Sequence, residues 1–357
     1  MIAPVIRRSV LLLLMAVAAL SLPLITPAWA CGCGAYAPEH GGSATVPMET
    51  ALVRVNADAT EDIYLSLSVD STVRSGALLF PVPDKHATVT AGPKNLFAEL
   101  AIATAPPPDS GPGAGGGNKA GAPNSGVTVL NRQQIGPLDV VTLASGDPAA
   151  LTRWLQRNGF AAKPALATAA KPYTDQKWAF VAVRLRPGAA SSAALKGTLD
   201  PLRIHFASHE IVYPMRLSAM GTETERVLVY TLAAHRLELH STTPGMTVGW
   251  AGDLRDVSAY PDLAKVAVAD NRFLTRFDGR LTPDTITDDF HFSRASSDAI
   301  VRQHQTGDLP DVLSGADATP RQNTLRDVGL GVGAIVLLLV VALGLANWHN
   351  RRQQQSQ

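Results

Sequence analysis

Ile63-Tyr64-Leu65-Ser66-Leu67-Ser68-Val69 decides the fold class. A period of two places Ile63, Leu65, Leu67 and Val69 on one side of an extended chain, the pattern of a half-buried β-strand. Working outward, Thr45 to Val82 reads as strands. Ala77-Leu78-Leu79-Phe80 is a buried strand expected to stop at Pro81-Val82-Pro83, because proline cannot donate to a central ladder.

Downstream, Leu96, Phe97 and Leu100 recur at helical spacing, and residues 105–126 collapse to Pro, Gly, Asn and Ala, the composition of a flexible exposed loop. Strands are predicted at Val127 to Leu130 and Leu138 to Leu143. Asp147-Pro148 opens a helix, with Asp able to cap free amides and Pro suited to the first turn. Leu151, Trp154 and Leu155 form its core face, and Asn158-Gly159 ends it. Further strands are expected at Trp178 to Leu185, Leu202 to Phe206, Ile211 to Leu217, Arg226 to Leu232 and Arg236 to His240. The sum is an α+β fold: a β-dominated ectodomain of antiparallel sheets with two short packed helices, plus one C-terminal transmembrane helix.

The two ends supply an address. Arg7 and Arg8 precede the apolar run Val10 to Leu20, and Ala28-Trp29-Ala30 is a small-x-small cleavage site. The run is about half the roughly 20 residues a spanning helix needs, so residues 1–30 read as a cleaved signal peptide with Cys31 first in the mature chain. Val328 to Ala346 carries no charge and, at about 1.5 Å per residue, reaches about 28 Å, enough for a bilayer core. Trp348, Arg351 and Arg352 follow as an interfacial aromatic and a stop-transfer cluster. The expected order is therefore signal 1–30, β-rich ectodomain 31–295, stalk 296–327, membrane helix 328–346 and cytoplasmic tail 347–357, in a single-pass cell-membrane protein with its body outside the cytoplasm. A formal charge of +1, without a basic stripe, argues against a nucleic-acid partner; the membrane is the partner expected.

Several short motifs occur in a fixed order: Cys31-Gly32-Cys33-Gly34, Phe80-Pro81-Val82-Pro83, Ala150-Leu151-x-x-Trp154-Leu155-x-x-Asn158-Gly159-Phe160, Tyr173 before Trp178-Ala179-Phe180-Val181-Ala182-Val183, Pro201-Leu202-Arg203-Ile204, and Tyr213-Pro214. Together they resemble a bacterial family of exported, usually membrane-anchored proteins known only as a domain of unknown function. The resemblance implies export and anchoring and no activity. Beside it, the Pro/Gly excursion reads as an insertion.

Chemistry-bearing residues are sparse. The two cysteines, Cys31 and Cys33, meet an oxidising compartment after export. A local Cys31–Cys33 disulfide is the favoured fate. Pairing between chains, chelation of a soft ion such as Cu(I), and lipidation of Cys31 stay open, although Ala28-Trp29-Ala30 suits lipidation poorly. His205-x-x-x-His209-Glu210 has helical ligand spacing but sits on a strand entering a turn. There, residues four apart lie about 13 Å from each other, so solvated histidines are expected. Asp284, Asp288 and Asp289 lack the spacing of a calcium loop and read as an exposed acidic turn. Gly111-x-Gly113-x-x-Gly116 has no flanking strand or helix, and no Gly-x-Ser-x-Gly elbow occurs. The reading is a membrane-anchored envelope protein with a non-enzymatic binding or structural ectodomain and no assigned cofactor. The alternatives are a thiol redox or copper-handling protein using Cys31 and Cys33, and a hydrolase with a dispersed site.

Overall fold

A computed structural model describes residues 35–105, 133–135, 138–144, 148–185, 194–254, 256–268 and 271–302. Five strands come first: β1 (Ala35–Pro38), β2 (Ala44–Val55), β3 (Thr60–Ser71), β4 (Gly76–Val82) and β5 (Thr88–Ala91), followed by helix α1 (Leu96–Ala103). Next are β6 (Gln133–Ile135), β7 (Leu138–Ala144), α2 (Pro148–Arg157) and α3 (Ala165–Asp175). Then come β8 (Ala179–Leu185), β9 (Lys196–Thr198), β10 (Leu202–Ala207), β11 (Ile211–Tyr213) and a 3-10 turn, Arg216–Met220. The last elements are β12 (Glu225–Ala233), β13 (Leu237–His240), β14 (Met246–Asp253), α4 (Pro261–Ala264), β15 (Phe273–Leu281), β16 (Phe290–Arg294) and β17 (Val301–Arg302).

The strands form three sheets. A nine-stranded sheet runs β17-β14-β15-β12-β2-β3-β10-β5 with β9 also on β3; a five-stranded sheet runs β1-β4-β8-β7-β6; a three-stranded sheet runs β11-β16-β13. The alternation that opens the sequence is realised: Ile63, Leu65, Leu67 and Val69 share one core with Leu78 and Phe80 of β4 and Val181 and Val183 of β8. The two larger sheets thus pack face to face. Behind the smaller one, Leu79, Phe180 and Ala182 meet Leu151, Leu155, Leu166 and Tyr173 of α2 and α3. Behind the larger one, Leu52, Tyr64, Leu228 and Tyr230 meet Leu96, Leu100 and Leu263 of α1 and α4. The order of layers is helix, sheet, sheet, helix.

Two expectations are corrected. The sheets are not all antiparallel: β12 lies parallel to β2, with Val227 opposite Glu49 and Val229 opposite Ala51. A parallel pair needs a long crossover, and most of the chain between the two strands supplies it. The continuous run Val227-Leu228-Val229-Tyr230 fits a strand buried on both faces. The helices number four among the described residues, not two. α3 carries Pro172 inside it and few large apolar residues, which hid its period. α1 and α4 cap each other: Glu99 accepts the amides of Asp262 and Leu263 at 2.9 and 2.7 Å, while Asp262 accepts that of Asn95 at 2.8 Å.

α2 ends as its sequence predicts. Gly159 takes φ 83°, Phe160 N–H bonds Leu155 O at 3.0 Å and Gly159 N–H bonds Gln156 O at 3.1 Å, a Schellman motif. Leu151 and Leu155 are buried, but Trp154 is only half-buried, stacked on Phe160. β4 runs through Pro81 to Val82, paired with Phe180 and Ala179 of β8. Among the described residues, Pro81 is paired only with β8. β11 stops at Tyr213, ahead of Pro214, instead of continuing to Leu217.

Past Ala295 the chain stays attached. β17 pairs with β14, and the Arg302 guanidinium lies 4.1 Å over the Trp250 ring. The expected loop from residue 106 onward, the strand at Val127 to Leu130, the N-terminal address with Cys31 and Cys33, and Val328 to Ala346 lie outside the described residues. Among the described residues no helix is long and apolar enough to cross a membrane.

Candidate functional site

Val55, Asn56 and Ala57 leave the end of β2 beside Ala233, Ala234 and His235, which leave the end of β12. Because the two strands are parallel, both chains depart at the same edge and open a hollow between them, as at the carboxyl ends of strands in parallel sheets. Ile211, Leu237 and Arg294 of the three-stranded sheet close one side, and Asn271, before β15, closes another. The cavity measures about 350 Å³. Its lining is mostly apolar, with the polar side chains of Asn56, His235, Asn271 and Arg294 set among it, the usual build of a small-molecule site.

Asn56, Asn271 and His235 are each held by hydrogen bonds. Asn56 Nδ2 donates to Thr60 Oγ1 at 3.0 Å and Asp62 Oδ2 at 3.3 Å, and Asn271 Nδ2 donates to Val55 O. His235 Nδ1 lies 2.9 Å from Asp298 Oδ2, and the Arg236 amide donates to Asp298 Oδ1 at 2.9 Å. Those two bonds hold the Asp298 carboxyl below its usual range. Asp62 anchors the rim from behind. It is fully buried and gathers Arg54 Nη1 at 3.2 Å, Arg203 Nε at 2.9 Å and His205 Nδ1 at 2.8 Å. A buried carboxylate so surrounded is compensated, which is what burial of a charge requires.

Beside the cavity, Val212 to Arg216 is held by carboxylates from three elements. Glu61 lies 3.4 Å from the Val212 amide, Tyr213 donates its hydroxyl to Glu49 at 2.6 Å, and Asp289 accepts the Met215 and Arg216 amides at 2.7 and 3.0 Å. Tyr173 of α3 adds its hydroxyl to Asp289 at 2.6 Å. Burial pushes the Glu61 carboxyl up to about 8, against bonds from Ser208 and Val212 that lower it and with the Glu210 charge raising it further. Glu225 shares a face of β12 with Val227, opposite Glu49. Burial, then the Glu49 charge, raise its carboxyl well above the ordinary range, and neither of its oxygens has a hydrogen-bond partner among the described residues.

The dispersed-hydrolase alternative has one pair to consider. His240 Nε2 lies 2.8 Å from Ser293 Oγ on the exposed side of β13 and β16. Glu238 approaches that same ring nitrogen, at 3.4 Å, so it does not orient the imidazole from Nδ1 as a triad acid does. Among the described residues no group of three or more His, Cys, Asp or Glu is placed to hold a metal ion.

Residues 27–293 match a family described as an uncharacterized protein conserved in bacteria, DUF2330. The chain belongs to this family. No curated protein matches it. Among solved structures, the crystal structure of baculovirus P35 aligns with 71% of this chain and 98% of its own at 10% identity and a TM-score of 0.37. A mutated baculovirus P35 after caspase cleavage aligns over 72% and 99% at 9% identity and a TM-score of 0.32. At these scores no property of either structure is carried to the DUF2330 chain.

Of the residues singled out by sequence, His205 is partly exposed but bonded through Nδ1 to buried Asp62, while His209 is exposed. The acidic-turn expectation fails at Asp289, which is buried because it terminates the amides of Met215 and Arg216; Asp288 pairs with Arg216, and only Asp284 is exposed. Cys31 and Cys33 fall inside the DUF2330 match but outside the described residues. Asn56, His235, Asn271 and Arg294 were missed, since they come from four distant stretches with no shared spacing. The one local signal was the polar break at Val55-Asn56-Ala57, where a strand ends.

Proposed function

We propose that this DUF2330 chain is an exported, membrane-anchored envelope protein whose β-rich body binds a ligand outside the cytoplasm. The observation that carries binding is the cavity between the ends of β2 and β12, a mostly apolar lining that also holds Asn56, His235, Asn271 and Arg294. The address rests on the sequence: the signal-like residues 1–30 and the uncharged segment Val328 to Ala346 flank the family-matched body. Binding is favoured over the serine-hydrolase reading because Glu238, the acid beside the Ser293–His240 pair, approaches the serine-facing Nε2 and not Nδ1.

Fractionation of cells making the full chain tests the address. The chain is expected in the alkali-washed membrane pellet, with its body digested when protease is added to spheroplasts and with a mature N-terminus at Cys31. Recovery in the soluble cytoplasmic fraction overturns the proposal. So does a body protected from external protease.

A further inference from the structure

We propose that the cavity takes a small amphipathic anion, a carboxylate carried on a short apolar body, with Arg294 receiving the charge. The inference deepens the binding reading above and rests on it. The rim defines the class by elimination. The amide nitrogens of Asn56 and Asn271 are already spent on Asp62, Thr60 and Val55. His235 is already bonded to Asp298 Oδ2 through Nδ1.

Arg294 remains. It lines the cavity and is exposed, and among the described residues it forms no ion pair. Asp298 lies within its field but is bonded to His235 and the Arg236 amide. Among the described residues no carboxylate side chain lines the cavity. A guanidinium that forms no ion pair among the described residues, beside the apolar side chains of Val55, Ala57, Ile211, Ala233 and Leu237, asks for two things in one molecule: an oxyanion for the fork of donors and hydrocarbon for the apolar lining. A cavity of about 350 Å³ limits that molecule to a short chain or a single ring.

Calorimetry on the full chain in lipid nanodiscs, with empty nanodiscs subtracted, tests this using three probes. Hexanoate carries charge and body, hexanol the body alone, and acetate the charge alone. Hexanoate is expected to bind saturably, with hexanol and acetate each weaker by about tenfold or more. Arg294→Gln is expected to weaken hexanoate by a similar factor and to leave hexanol unchanged, while Arg294→Lys keeps part of the preference. Arg294 is exposed, so these variants keep the fold, checked by an unchanged melting temperature. Ala234→Trp, at an exposed rim position, should abolish binding of hexanoate by filling the cavity.

Hexanol binding as tightly as hexanoate overturns the anion assignment while leaving the cavity as a binding site. Hexanoate binding that survives Ala234→Trp unchanged overturns the site. Absence of hexanoate binding at millimolar concentration overturns the proposed ligand class. None of these outcomes bears on the membrane address, which fractionation decides.

Discussion

Tyr213 donates its phenolic hydroxyl to Glu49 across 2.6 Å, and both residues are completely buried. The bond fastens β11, at the edge of the three-stranded sheet, to β2 in the middle of the nine-stranded one. An aromatic ring packed near Phe80 and Phe290 brings the hydroxyl there, so apolar packing and carboxylate satisfaction are achieved by one side chain. Tyr213→Phe keeps the ring and removes a donor from a buried carboxylate. It is expected to lower unfolding free energy by about 1–3 kcal/mol, read from urea denaturation. An unchanged midpoint would show that Glu49 is served well enough without the phenol.

Glu61 sets a pH dependence of definite sign. Its folded pKa, about 8, stands above the ordinary value of 4.5, so between those limits the folded chain holds a proton that the unfolded chain has released. This group's contribution is therefore fully present below pH 4.5 and is lost as pH rises to about 8, with a slope of up to about 1.4 kcal/mol per unit. Glu225, raised in the same direction, adds to the loss. Glu61→Gln replaces the acid by a neutral isostere and should flatten the fall. Urea midpoints measured from pH 5 to 9 check it, and a stability that climbs over this range contradicts the assignment.

Gly76 and Gly279 make a matched pair. A Cβ on Gly76 would overlap the ring and hydroxyl of Tyr36, which is locked in the core. On Gly279 it would meet the sulfur of Met246, the flexible end of a half-buried side chain. Gly76→Ala is expected to cost about 1–3 kcal/mol, and Gly279→Ala distinctly less, because Met246 can swing aside. Thermal unfolding ranks them.

α2 offers a test of burial against size. Leu155 is fully enclosed, whereas the larger Trp154 lies at the margin of the core, stacked on Phe160. Leu155→Ala should cost about 2–5 kcal/mol, while Trp154→Ala falls short of the roughly 3–5 kcal/mol of a buried tryptophan. The reverse order of melting temperatures would place Trp154 in the core after all.

Local pattern made some of this legible and not the rest. The period-two run at Ile63 to Val69 announced β3, and Asn158-Gly159 announced a helix end, because both signals lie within one element. β15 escaped notice: Arg276 and Asp278 interrupt its apolar residues, yet the Arg276 guanidinium is buried, bonded to Asp278 and to Thr104 past α1. β14 and β16 were passed over as well. Asp289 looked like surface because its partners, Met215, Arg216 and Tyr173, are far away in sequence. The cavity was invisible for the same reason. It exists only once β2 and β12 lie side by side.

That side-by-side pairing also fixes an order of assembly. β2 emerges early in synthesis and β12 most of the body later, yet β12 supplies the neighbour along one edge of β2 from Met48 to Arg54. Until then, the β2–β3 hairpin presents an open edge capable of recruiting other chains. Contacts closed over such sequence distances make folding slow. Both large sheets draw strands from each side of the low-complexity stretch between α1 and β6, so that stretch interrupts one folding unit and does not divide two. A fragment released before β12 leaves that edge of β2 without its partner and is expected to aggregate through it.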